Sequence, residues 1–215
     1  MELLIAGMDV RLLGPERALA ELERLYLEFE ARGDAYAKNA ANPHLCFAGC
    51  SQCCRSGAFF AVTLVEALRL SLAVTALPDA LRARVLEDAR QLLALQASMP
   101  DEPARGDEAG FNRFVAQVAR AAPACPMLEA DLCSVYAGRP FLCRAYGFPV
   151  DAYAVETEAS ITFRSLCHLH AGSELGEYVQ ARDLKARLAE LSRQLVGGAD
   201  PVRFTSAEAS LARVR

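Results

Sequence analysis

Four cysteines fall within nine residues, Cys46-Phe47-Ala48-Gly49-Cys50-Ser51-Gln52-Cys53-Cys54, and Cys125, Cys133, Cys143 and Cys167 follow at wider spacing. Ionised sulfur is a soft donor suited to zinc and to iron–sulfur centres. Short spacings let one loop curl so that several sulfurs converge on an ion at about 2.3 Å. Packing cysteines are usually scattered, so this density is hard to explain as core. Gly49, with no Cβ, permits the turn and lets backbone N–H groups approach the sulfurs. Adjacent side chains diverge in a regular backbone, so Cys53 and Cys54 are not expected to serve one ion as equivalent ligands. Two ions, or a cluster plus a second site, follow from that. The eight thiols satisfy two four-cysteine tetrahedral sites, or feed one cluster and leave several free.

Other side chains bear on the same chemistry. A divalent ion with four thiolates is a dianion, and guanidinium groups at Arg139 and Arg144 would offset it and donate to sulfur; the alternative is surface arginines flanking a short helix begun by Pro140. Tyr136 reads equally as a packed aromatic with a hydrogen-bonded hydroxyl. His168 and His170, just after Cys167, and His44 are alternative nitrogen donors. Cys46-x-x-x-Cys50-x-x-Cys53 has the spacing of radical S-adenosylmethionine enzymes. Gln52 stands where those enzymes place an aromatic, however, and alternating strands and helices are absent. Thiol–disulfide exchange through Cys53 and Cys54 would need a strained vicinal bridge and leave the other cysteines unexplained. No Ser-His-Asp order, phosphate-cradling glycine loop or carboxylate pair is present, so no catalytic residue is assigned. An iron–sulfur oxidoreductase or electron carrier is the alternative to plain metal binding.

The second cysteine group carries a resemblance. Its segments are Cys125-x-x-Leu128 and Cys133-x-x-Tyr136-x-x-Arg139-Pro140-x-x-Cys143-Arg144, preceded by a Cys53-Cys54-ended cluster and followed by Cys167. Over about residues 46–170 the chain resembles the YkgJ-like cysteine-cluster family, described as a zinc- or iron-chelating domain. The resemblance implies that Cys46, Cys50, Cys53, Cys54, Cys125, Cys133, Cys143 and Cys167 are all ligands of zinc or iron, the latter as ions or as an iron–sulfur cluster. Flagellin lysine methylase is a branch with a similar cluster. No S-adenosylmethionine-binding loop is recognisable here, so methylation is not carried over. Some members have two residues between the first two cysteines where this chain has Phe47, Ala48 and Gly49, which bears on cluster geometry.

The elements that must hold these residues read as helices. Pro15 opens one, with Leu19, Leu22, Tyr26 and Phe29 at helical spacing, running to about Gly33. Thr63-Leu64-Val65-Glu66 is a capping box that starts a second, ending before Pro78. Leu81, Val85, Ala89, Leu92 and Leu93 mark one face of a third that stops near Met99-Pro100, with Arg82, Arg84, Glu87 and Arg90 on its solvated side. After a loop over residues 101–110, Phe111, Phe114, Val115 and Val118 mark a short helix. Residues 125–169 lose helical period. A final helix from about Ser173 displays Leu184, Leu188, Leu191 and Leu195 as core contacts and stops at Gly197-Gly198. The fold class is therefore mainly α: a small helical domain with an irregular cysteine-rich metal-binding region between helices. Its parts are an N-terminal helical segment (1–40), the cysteine-cluster domain (41–172) and a C-terminal helical segment packed on it (173–215).

A chain of 215 residues can bury a real core without cross-links, so cysteine is not needed as a staple. Its 23 Lys and Arg against 27 Asp and Glu give a net charge of -4, and no basic field for nucleic acid. The start, Met1-Glu2-Leu3-Leu4-Ile5, lacks a secretory pattern, and the apolar run from Leu64 to Leu77 is broken by Glu66 and Arg69. A cytoplasmic protein with no membrane partner is expected. In a reducing cytosol clustered thiols are ligands or catalytic groups before they are disulfides.

Overall fold

The computed structural model describes residues 1–39, 49–55, 61–98, 124–153, 160–163, 177–199 and 204–215. Within them the chain is mainly α, with small sheets at the periphery. It opens on strands, where the sequence reading has only helix. β1 (Glu2–Ile5) and β2 (Met8–Arg11) form a hairpin, and β10 (Arg213–Val214) pairs along the other side of β1. Ala6 (φ 49°) and Gly7 (φ 77°) are both left-handed, the two-residue turn whose twist matches the flanking strands. Leu3 and Ile5 point into the core. Strands this short show little alternation, and the partner of β1 lies at the far end of the chain.

α1 (Pro15–Ala37) begins after a left-handed Gly14 with proline in its first turn, and buries Leu22, Leu25, Tyr26, Phe29 and Tyr36. It continues a turn past the expected stop at Gly33. That glycine is a packing notch: a Cβ there would stand 2.8 Å from the Phe148 ring. After α2 (Gln52–Arg55) and β3 (Ala61–Val62), α3 (Leu64–Thr75) starts at Thr63 as expected, with both halves of the capping box present. Glu66 Oε2 accepts the Thr63 N–H (2.9 Å) and also the Thr63 hydroxyl (2.8 Å). α4 (Asp79–Ala97) buries Val85, Ala89 and Leu92. Arg84 is not on the solvated side: it is half-buried, paired with Asp88 (2.8 Å) and Glu129 (2.7 Å).

The irregular region resolves into short pieces. β4 (Leu128–Glu129) and β5 (Leu132–Cys133) pair across a left-handed Ala130-Asp131 turn; a single 3-10 turn (Tyr136–Gly138) and α5 (Phe141–Ala145) follow. β6 (Val150–Tyr153) pairs antiparallel with β7 (Ser160–Phe163) and parallel with β8 (Val179–Gln180). The last long helix, α6 (Arg182–Leu195), follows β8; the expected start at Ser173 lies outside the described residues. Gly197 (φ 71°) and Gly198 (φ 94°) end it, and the Gly198 N–H bonds the Arg193 carbonyl at 2.8 Å. β9 (Phe204–Thr205) pairs with β3 and leads into α7 (Ser206–Leu211). The helix expected at 111–118 and the stop near 99–100 lie outside the described residues.

The α6 stripe is core contact: Leu184, Leu188, Leu191 and Leu195 are at most 8% exposed. Each contributes about 1.5–3 kcal/mol relative to an exposed side chain. The same cluster takes in Leu3, Leu22, Phe29, Leu68, Val135, Phe141 and Phe204, so the irregular region is seated on the helices and is not an appendage.

Candidate metal centre

Gly49 turns with φ 88°, and the Ser51 carbonyl accepts the N–H of Cys54 (2.9 Å) and of Arg55 (3.1 Å), winding the end of the first cluster into α2. The winding overturns the expectation that Cys53 and Cys54 diverge, since their Sγ atoms are 4.0 Å apart. Two sulfurs on one tetrahedral ion with bonds of about 2.3 Å stand about 3.8 Å apart, so this pair is already near ligand spacing.

The second group is brought to the first by backbone. The Cys125 N–H donates to the Cys54 carbonyl at 2.7 Å. The β4–β5 hairpin then returns Cys133 beside Met127, whose carbonyl accepts the N–H (2.8 Å) and hydroxyl (2.9 Å) of Ser134. A surface clasp fixes the two segments together: Asp131, at the hairpin turn, accepts from Ser51 Oγ (2.7 Å) and pairs with Arg55, whose Nε also reaches Ser51 Oγ at 3.1 Å. α5 delivers Cys143 from a third direction.

The result is one cavity of about 310 Å³ lined by Cys50, Cys53, Cys54, Cys125, Cys133 and Cys143, with Met127, Val135 and Phe148 among its apolar wall. All of these cysteines are free thiols and half-buried. Cys46, Cys167, His44, His168 and His170 lie outside the described residues. Among the described residues no three Cys, His, Asp or Glu side chains stand close enough, as placed, to hold one ion.

Neighbouring sulfurs and burial raise four of the thiols. The Cys53 thiol is pushed far up, first by its hydrogen bond with Cys54 and then by burial. Cys54 is pushed up to about 12, chiefly by the Cys125 thiol. Cys143 and Cys133 are raised mainly by burial; neighbouring sulfurs add to this, and Arg139 opposes it at both. A cation among the sulfurs would reverse the balance, because the charge that the thiolates cannot share with one another they can share with it.

Both arginines line the cavity, and Arg139 is the one that lowers the Cys133 and Cys143 thiols. Arg139 stacks over the Tyr136 ring (3.5 Å) and donates Nε to the Tyr136 carbonyl at 3.1 Å. Arg144 is spent on scaffold: it donates to the carbonyls of Arg139 (2.9 Å) and Ala137 (2.7 Å), pairs with Glu30, and lies 4.0 Å over the Tyr26 ring. Tyr136 is not packed; it is 62% exposed at the cavity rim.

Comparison with family models, curated proteins and solved structures finds no match. The site must be judged on its geometry. Sequence reasoning missed the residues that hold it together: Asp131 and Arg55 in the clasp, Gly138 under the 3-10 turn, and Glu66 as more than a cap. Only the Thr63-x-x-Glu66 pattern carried a local signal. Among the described residues no helix is long and apolar enough to cross a membrane.

Proposed function

We propose that this chain is a cysteine-cluster metal-binding protein that chelates zinc or iron through thiolates, in line with its resemblance to the YkgJ-like family and with a reducing, cytoplasmic setting. One observation carries the reading: cysteines from two regions far apart in sequence, Cys50 to Cys54 and Cys125 to Cys143, none of those described in a disulfide, line a single cavity. A cytosolic protein with an ordinary hydrophobic core has no packing reason to bring six thiols to one place.

The donor set fits a soft metal. Cys53 and Cys54 are near ligand spacing, and Cys125, Cys133 and Cys143 line the same cavity. Cys50, together with Cys46 and Cys167, completes the set that the sequence offers. Thiols bind metal as thiolates, so loading releases protons and affinity rises with pH. Arg139 offsets part of the negative charge that four thiolates leave around a divalent ion.

The test is anaerobic purification followed by elemental analysis and a visible spectrum. Bound zinc or iron is expected. A colourless zinc protein would place the site among structural or storage centres; a brown iron protein that bleaches on reduction would make it an electron-transfer centre. Folded protein free of metal, with all eight thiols freely titratable, would overturn the proposal.

A further inference from the structure

Glu66 is a carboxylate only 4% exposed, and its four contacts run in three directions. Oε2 takes the N–H and hydroxyl of Thr63 on its own helix, α3. Oε1 takes the backbone N–H of Phe141 at 2.6 Å and, more loosely, the hydroxyl of Tyr26 on α1 at 3.4 Å. Phe141 opens α5, and Cys143 lies two residues beyond it on that five-residue helix. A helix so short cannot hold its own orientation; nucleation costs more than one turn of hydrogen bonds returns. Its placement must come from outside. The outside contacts include the Glu66–Phe141 bond at its start, the pairing of Arg144 with Glu30 and its stacking on Tyr26 on α1, the Arg144 bonds to Arg139 and Ala137 behind it, and burial of Phe141 against Phe29, with ring centroids 4.8 Å apart.

Helix capping accounts for only half of what Glu66 does. A cap needs Oε2 alone, and a surface Glu or Gln supplies it in most capping boxes. Sinking an ionised group into the core is costly unless every lone pair is met, so a buried carboxylate kept here points to a second task for Oε1. We infer that Glu66 is a positioning residue for the metal centre: it clamps the start of α5 to α3 and α1 and so fixes Cys143 in the thiol cavity. The inference rests on the metal–thiolate reading for its consequence, though the clamp itself can be measured without metal.

Glu66→Gln weakens the clamp: whichever way the amide turns, the Phe141 N–H meets either an NH2 donor or a neutral carbonyl in place of the carboxylate oxygen. Thr63→Ala is the control, since it removes only the hydroxyl on the Oε2 side. Three readouts are taken on full-length chains: metal release to a chelator, alkylation rate of Cys143 relative to Cys50 after metal removal, and thermal midpoint. Glu66→Gln should release metal and expose Cys143 about tenfold faster, the scale of one charge-assisted hydrogen bond. Thr63→Ala should lower the midpoint and leave both rates near wild type. Wild-type rates in Glu66→Gln, or equal acceleration in Thr63→Ala, would overturn the inference.

Should Glu66→Gln fail to fold, amide exchange in the metal-free wild type decides. The Phe141 N–H should stay protected after metal removal, whereas exchange at an open-chain rate sinks the clamp. Wild-type protein that carries no metal refutes the proposed function. The alkylation and exchange results then still report on the clamp by themselves.

Discussion

Replacing Gly138 by alanine tests how tightly the cysteine region is seated on the helices. Gly138 ends the 3-10 turn midway between Cys133 and Cys143 and is buried against α3. A Cβ built there stands 2.8 Å from the Ala73 Cβ, with Arg69 Nη1 at 3.5 Å. Carbon atoms settle at about 3.5–4.0 Å, so the two must part by about 0.7 Å or more. Arginine can swing aside; Ala73 cannot, because its Cβ has no rotamer and is fixed to α3. Either that helix or the turn must shift. Overpacking of this kind costs about 1–3 kcal/mol. The stiffer unfolded chain of an alanine variant returns about 0.4–1 kcal/mol. The net expectation is a loss of about 1–2 kcal/mol in urea unfolding of the reduced protein, with lower metal content on anaerobic purification. Ala73→Gly reopens the space. Alone it costs about 1 kcal/mol as a helix glycine, yet combined with Gly138→Ala it should recover most of the clash, a coupling of about 1 kcal/mol or more. A Gly138→Ala variant within about 0.5 kcal/mol of wild type, or a strictly additive double variant, would refute the reasoning.

Three further outcomes are expected. Cys50→Ser and Cys143→Ser should each remove metal despite their separation in sequence, because both side chains line the same cavity; full metal content in either variant removes that cysteine from the ligand set. Chelation under reducing conditions should raise hydrogen exchange across residues 134–142, except at the Phe141 N–H that Glu66 holds, while α1, α3 and α6 stay protected, since the long helices bury whole apolar stripes and the short pieces between cysteines rest on a few side chains such as Val135 and Phe141. Asp183, Glu28 and Glu21 are held below their ordinary values by Arg32 (Asp183), Arg187 and Arg32 (Glu28) and Arg24 and Arg187 (Glu21). Their contribution is therefore present above the unfolded carboxylate range and is lost as pH falls through the lowered values. Between pH ~6 and ~3 the wild type should lose more urea stability than Arg32→Ala, by under about 1 kcal/mol given the exposure of the pairs, and equal losses would count against the Arg32 pairs with Asp183 and Glu28.

The sequence by itself determined the helices and the thiol inventory, and it did so where the information is local. The Leu184, Leu188, Leu191 and Leu195 stripe, the proline start at Pro15 and the Gly197-Gly198 stop each express a rule acting over one or two turns, and each holds in the structure. The density of cysteine between Cys46 and Cys54 likewise needs no fold to be noticed. Tertiary structure decided everything that depends on a distant partner. The β1–β10 pairing brings Leu3 to Val214, and β8 just before the last helix is a strand because β6 is there to receive it. Gly33 reads as a helix stop until Phe148 is seen against it, and Arg84 and Arg144 read as solvated or sulfur-facing until Glu129, Glu30 and Tyr26 claim them. Glu66 looks like half of a capping box, and only the arrival of the Phe141 N–H from across the fold makes it a clamp. Local periodicity is written in neighbouring residues, whereas the meeting of Cys54 with Cys125 and Cys143 is fixed by how the helices pack, and no spacing along the chain encodes that distance.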